Sequence, residues 1–325
     1  MQSRLSLALA AGAVTLPEGR VSLLRPPVDL DLEGLDPGRL LAVHGFRPDQ
    51  DALAARDLTV ASELEGPIAG AVVFATRAKA LSRALVAEAC AALPEGAPVV
   101  VDGQRVDGID SLLRACRAAF DVGEVFSKAH GKCFAFPAAP APADWADAPV
   151  EVDGFVTRAG VFSADGIDPG SALLAAGMGP LAGRVCDLGA GWGFLARAAL
   201  ATPDVTGVAL VEAERIALDC ARRNVPDPRA EFHWADATRF EAEPFDHVLC
   251  NPPFHTSRKA DPELGRAFVR AAARLTAPRG RSVFVANRHL PYEATLQEAF
   301  GSVVVLSEMA GYKVIQGRKP HRSRA

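Results

Sequence analysis

Short apolar runs alternate with helix-length amphipathic stretches along most of this chain, and that rhythm restricts the fold more than any other feature. In the C-terminal half, RVCDL, VTGVALV, AEFHWA, FDHVLC, SVFVAN and SVVVLSEMA are predicted strands, with helices beginning near Trp192, Ala213, Pro262 and Leu290. Strands so uniformly apolar have no face suited to water. They imply a mostly parallel sheet covered on both sides by crossover helices, with ligands at the carboxyl ends of the strands. A weaker version of the rhythm runs through LLAVHGF from Leu40, GAVVFAT from Gly70 and PVVVDGQ from Pro98, alternating with helical stretches from Arg77 and Ser111. Between the halves, the Pro/Ala-rich stretch from Pro137 to Pro149 can continue neither a helix nor a central strand. We therefore expect a domain over residues 1–138, a linker over 139–150 and a second domain over 151–325; a chain of 325 residues is long enough for two cores. No strand of the first half is followed by a glycine-rich turn, which makes that half a scaffold or recognition module rather than a second active site.

Composition excludes some classes. Hydrophobic residues at 49% and charged residues at 23% suit neither a disordered chain nor a membrane-spanning one, and no apolar run reaches bilayer length. The opening MQSRLSLALAAGAVTLP places Leu5, Leu9, Ala13 and Leu16 at helical spacing, so it is expected to be a core helix rather than a secretory signal. The 6 cysteines form no CxxC pair and fall mostly in apolar segments, as reduced side chains of a cytoplasmic protein would. The 7 histidines show no ligand spacing, so no metal is expected, and there is no Gly-x-Ser-x-Gly elbow. Residues 1–150 carry 14 basic against 19 acidic side chains, while residues 151–325 carry 21 against 20. Beyond Glu308 the chain has no acid and carries Lys313, Arg318, Lys319, Arg322 and Arg324. Such a tail suits a phosphate backbone, or equally a frayed, solvated terminus.

Four groups in the second half carry chemistry. Asp187 leads into Gly189-Ala190-Gly191, between a strand and a helix. Glycines there let the backbone turn tightly and approach a ligand, and an acid before the loop favours a ligand with an amino group over a pyrophosphate. Glu212 ends the next strand, where a carboxylate can accept two ribose hydroxyls or simply start a helix. Asp236, followed by Ala237, ends the strand after that, where it can meet an adenine amino group or cap a surface turn. Asn251-Pro252-Pro253-Phe254 follows the strand FDHVLC. The two prolines stiffen the backbone, so that the Asn amide oxygen and the Pro252 carbonyl can accept from a planar NH2 group while Phe254 offers a face for stacking.

In this order, these residues resemble class I S-adenosyl-L-methionine-dependent methyltransferases. They resemble most closely the bacterial RsmC family of small-subunit ribosomal RNA guanine-N2 methyltransferases. The likeness includes Gly160-Val161-Phe162-Ser163 with Asp168, Gly170 and Ser171, the run NPPFH, and Val285-Ala286-Asn287 with Leu290-Pro291-Tyr292. It implies an α/β fold of two tandem Rossmann-like methyltransferase domains, the first degenerate and the second built on a mostly parallel seven-stranded sheet. It further implies cofactor contacts at Asp187, Gly189, Ala190, Gly191, Glu212, Asp236 and Ala237, and an amine-holding role for Asn251 to Phe254. The expected partner is ribosomal RNA or the small ribosomal subunit, met in the cytoplasm by a monomer, without membrane or metal. Ala159 and Thr256-Ser257 depart from the family pattern, which bears on which guanine is chosen. Methylation of a protein glutamine or of adenine N6 uses the same NH2 chemistry, and a non-catalytic RNA-binding assembly factor is the alternative outside enzymes.

Overall fold

A computed structural model describes residues 3–253, 262–288 and 292–321. The chain divides into two compact units, Met1–Pro149 with Arg158–Gly160, and Val150–Thr157 with Val161–Ala325.

In the first unit the strands are β1 (Val21–Leu24), β2 (Leu40–Val43), β3 (Thr59–Ala61), β4 (Gly70–Phe74), β5 (Pro98–Gln104), β6 (Val125–Lys128) and β7 (Gly131–Pro137). They form one sheet in the order β3-β2-β1-β4-β5-β7-β6, parallel except for β7, which runs against β5 and β6. The helices are α1 (Arg4–Ala10), α2 (Arg47–Ala54), α3 (Lys79–Ala92) and α4 (Ile109–Ala119). The opening stretch is the core helix its spacing predicts, with Leu5 fully buried, although it stops at Ala10 and leaves Ala13 and Leu16 outside it. The Pro/Ala-rich stretch packs against this unit through Trp145, which is buried and meets the edge of the Phe120 ring at 5.8 Å.

A small hairpin of β8 (Val150–Val152) and β9 (Phe155–Thr157) opens the second unit. Its strands are β10 (Gly183–Leu188), β11 (Val205–Glu212), β12 (Ala230–Trp234), β13 (Phe245–Cys250), β14 (Thr276–Asn287), β15 (Phe300–Met309) and β16 (Tyr312–Pro320). Their order, β12-β11-β10-β13-β14-β16-β15, repeats that of the first unit. The helices are α5 (Pro169–Gly177), α6 (Phe194–Leu200), α7 (Arg215–Asn224), α8 (Pro262–Leu275) and α9 (Glu293–Ala299). Alternate strand residues feed opposite cores, as the pleat requires. Cys186, Leu188, Val248, Cys250 and Phe284 join the cluster containing Phe268 and Phe300, while Val185, Leu249, Val283 and Val285 join the one containing Leu174 and Leu195. Both faces are therefore covered, and the sheet is the seven-stranded, mostly parallel one expected.

One expectation is corrected. The stretch from Lys313 to Lys319 is not a frayed end: it is β16, paired antiparallel with β14 and β15 and burying Val314 and Ile315, while Arg322 and Arg324 lie outside the described residues. Lys313 is bonded to the Glu293 carboxylate. The buried Val314-Ile315 pair outweighs the charges of the strand because two ladders and a hydrophobic layer are gained together. All six cysteines are buried and free. Burial pushes the Cys116 thiol up to about 12 and raises those of Cys133, Cys186 and Cys250 as well, so these sulfurs pack rather than react.

Candidate active site

The glycine loop sits where β10 ends. Gly189 (φ +81°), Gly191 (φ +54°) and Gly193 (φ +92°) all lie in the left-handed region that favours glycine. The N–H groups of Gly189 and Ala190 both donate to the Val211 carbonyl, at 2.9 and 3.0 Å, tying the loop to the end of β11. Glu212 continues the tie: its Oε2 accepts from Gly191 N at 2.7 Å and its Oε1 from Glu214 N at 2.8 Å. The glycines differ in purpose. A Cβ on Gly191 would meet nothing within 4 Å, whereas one on Gly193 would stand 2.8 Å from Val225 Cγ2.

Asp187 is fully buried beneath this loop. Its Oδ2 accepts from Ala196 N at 2.9 Å, and its Oδ1 has no partner among the described residues. Burial, and then the neighbouring Glu212 charge, push its carboxyl up to about 7 against the lowering effect of the Ala196 bond.

At the end of β13, Asn251 Nδ2 donates to Asp168 Oδ2 at 3.0 Å and to Ser171 Oγ at 2.8 Å. Its Oδ1 is buried without a partner among the described residues. Pro252 is buried and Pro253 exposed, while Phe254 lies outside the described residues. A single cavity is walled by Gly189, Ala190 and Gly191 on one side and by Asn251, Asp168 and Ser163 on another. Asp187, Glu212, Asp236, Ala237, Pro252 and Pro253 do not form its wall. Asp236 makes the turn that the sequence left open, its Oδ1 accepting from Thr238 N at 2.8 Å and Oγ1 at 2.6 Å, and Ala237 is buried in the core.

The Methyltransferase small domain family matches residues 153–316. The Chromohalobacter salexigens ribosomal RNA small subunit methyltransferase C is 31% identical over 278 residues, 81% of this chain and 82% of the relative. Its namesake from Shewanella pealeana is 31% identical over 76% of each chain. Among solved structures, a T. thermophilus 16S rRNA N2 methyltransferase (RsmC), in complex with AdoMet and guanosine, matches with a TM-score of 0.78 at 25% identity, covering 98% of this chain and 92% of that one. This chain belongs to the ribosomal RNA small subunit methyltransferase C family.

The register of its two sheets shows what this methyltransferase C chain keeps in only one unit. Leu24 pairs with Val43 as Leu188 pairs with Val211, and Arg25 N donates to the Val43 carbonyl at 2.9 Å just as Gly189 N does to that of Val211. Counting from these pairs, the places of Asp187, Gly189, Gly191 and Glu212 are taken in the first unit by Leu23, Arg25, Pro27 and His44, and that of Asn251 by Phe74. Pro26 and Pro27 have no N–H to offer a ligand, and His44 is pushed down to about 3 by burial and then by Arg25, so it stays neutral. The first unit repeats the strand order with different side chains at these places. Sequence reasoning gave no role to Phe162, Ser163, Asp168, Ser171 or Trp192, all of which line the cavity of the second unit. The family likeness was the only signal for the first four. A wider groove at the amino ends of the strands, lined by Thr238, Pro244, Arg274 and Thr276, contains none of the candidate residues.

Proposed function

We propose that the protein transfers the methyl group of S-adenosylmethionine to the exocyclic N2 amine of a guanine in 16S ribosomal RNA. The observation that carries this reading is Asn251, whose buried Oδ1 has no partner among the described residues and which lines the same cavity as the glycine loop. The methyltransferase C relatives and the guanosine complex of the T. thermophilus protein support the same substrate class.

The residues present fit the cofactor. Asp187 Oδ1, buried and with no partner among the described residues, suits an ammonium, and the open space above Gly191 leaves room for close approach. Asp187, Gly189, Ala190 and Gly191 would hold the amino-acid end, Glu212 the ribose, and Asp236 with Ala237 the adenine. When bound, S-adenosylmethionine supplies a methyl group already activated by its sulfonium, so the reading requires neither a metal nor a protein nucleophile. Asn251 Oδ1 and the Pro252 carbonyl accept from the two N–H groups of the amine and orient its lone pair, Pro253 stiffens the corner, and Phe254 stacks on the base. Alignment carries the rate, and the amine loses its proton to solvent after transfer. A guanine paired inside a helix hides this amine, so the base is read from an exposed strand or extruded. The first unit, residues 1–138, serves as scaffold or RNA-recognition module, and the enzyme acts as a cytoplasmic monomer on ribosomal RNA or the small subunit.

The test incubates the protein with radiolabelled cofactor and small subunits from cells lacking the activity, then digests the RNA to nucleosides. Label in N2-methylguanosine is expected; label in protein or in methyladenosine overturns the reading. Asn251→Ala should keep cofactor affinity by calorimetry and lose turnover by about 100-fold or more, the scale of losing one preorganised polar contact at a reacting group.

A further inference from the structure

We infer that Asp168 is a positioning residue that locks the Asn251 carboxamide with its NH2 toward Asp168 and its oxygen left as the acceptor, an inference that rests on the amine-transfer reading above. A terminal amide turned by 180° exchanges its oxygen and its NH2 with almost no change of shape, so packing alone does not choose between the two orientations. Only one orientation accepts from the substrate amine. The choice falls to the two groups that face Asn251 Nδ2. Ser171 Oγ, at 2.8 Å, is a hydroxyl that can donate or accept and is compatible with either orientation. Asp168 Oδ2, at 3.0 Å, is a carboxylate oxygen that can only accept. With the amide reversed, two oxygens would face each other across that gap. The carboxylate therefore keeps the NH2 toward itself and leaves the buried Oδ1 with no partner among the described residues.

Asp168 is itself held in place. It is the N-cap of α5, and the same Oδ2 accepts from Ser171 N at 2.7 Å. The helix start thus anchors the carboxylate, and the carboxylate aims a side chain 83 residues away in sequence. Cap and lock use one oxygen, and they can be separated by substitution.

Asp168→Ser keeps a capping oxygen for α5 but is too short to reach Asn251. Asp168→Asn returns an amide oxygen at the original reach, able to accept from both. We expect kcat on small subunits to fall about ten- to a hundred-fold in Asp168→Ser, the range for losing a hydrogen bond to a charged group. KM for S-adenosylmethionine and the melting temperature should stay near the wild-type values, and Asp168→Asn should recover most of the lost kcat. A serine variant that keeps kcat within threefold of wild type overturns the lock. So does a pair of variants that fall together in kcat, cofactor KM and melting temperature, since that is the pattern of a merely structural cap. The wild-type enzyme in the same assay separates the two levels: absence of N2-methylguanosine there refutes the amine-transfer reading, whereas its presence alongside a fully active Asp168→Ser refutes only the lock.

Discussion

The glycines of the loop share a conformation but answer to different forces, which makes them separable by a single added carbon. Gly193→Ala would press a Cβ to within 2.8 Å of Val225 Cγ2 at φ +92°, so it should lower the unfolding free energy by about 2–4 kcal/mol in a urea titration. Gly191→Ala meets no neighbour, so its stability cost should stay within about 2 kcal/mol while calorimetry shows cofactor binding lost to a methyl group in the cleft. Asp187 tests electrostatics at the same scale. Burial raises its folded pKa to about 7, well above the ordinary carboxylate value of about 3.9. Between those values the folded protein holds a proton that the unfolded chain has released, so the stability linked to it is complete at low pH and is lost as pH rises toward 7. Asp187→Asn keeps an oxygen for the Ala196 N–H and cannot ionise. From about pH 5 to pH 8 it should lose about 2–3 kcal/mol less stability than wild type, measured without cofactor.

At the scale of elements, the strands easiest to see in the sequence are those buried on both faces, because nothing polar interrupts them. The runs ending at Leu188 and Cys250 coincide with the ends of β10 and β13, and the run to Val211 stops one residue short of the end of β11; those ends position the loop, Glu212 and Asn251. β16 was hidden by its own charges: Lys313, Arg318 and Lys319 flank a core of Val314 and Ile315 that only a pair of neighbouring strands makes worth burying. Ile315 is paired with Phe284 on one side and Val305 on the other, so Ile315→Pro should cost at least about 3 kcal/mol and show as a large drop in melting temperature. A loosely solvated tail would tolerate the same change. β1 and β3, of 4 and 3 residues, escaped prediction because so short a run carries almost no periodicity.

Over the whole molecule, two sheets share one strand order but differ in the residues at their strand ends. The substitution of Arg25, Pro27, His44 and Phe74 into the corresponding register predicts one equivalent of S-adenosylmethionine per chain in a calorimetric titration, abolished by Gly191→Ala. A second equivalent would show that the first unit binds as well. The sequence by itself determined the α/β class, the repetition of the βαβ rhythm and the position of each chemical group at a strand end, because strand burial and turn chemistry are local properties written in neighbouring residues. Only the tertiary structure decided that Glu212 splints the glycine loop, that Asp187 is buried with no partner for its Oδ1 among the described residues, and that Asp168 meets Asn251. Those contacts join residues far apart in the chain, and a hydrogen bond depends on distance and direction in space, which residue order does not specify.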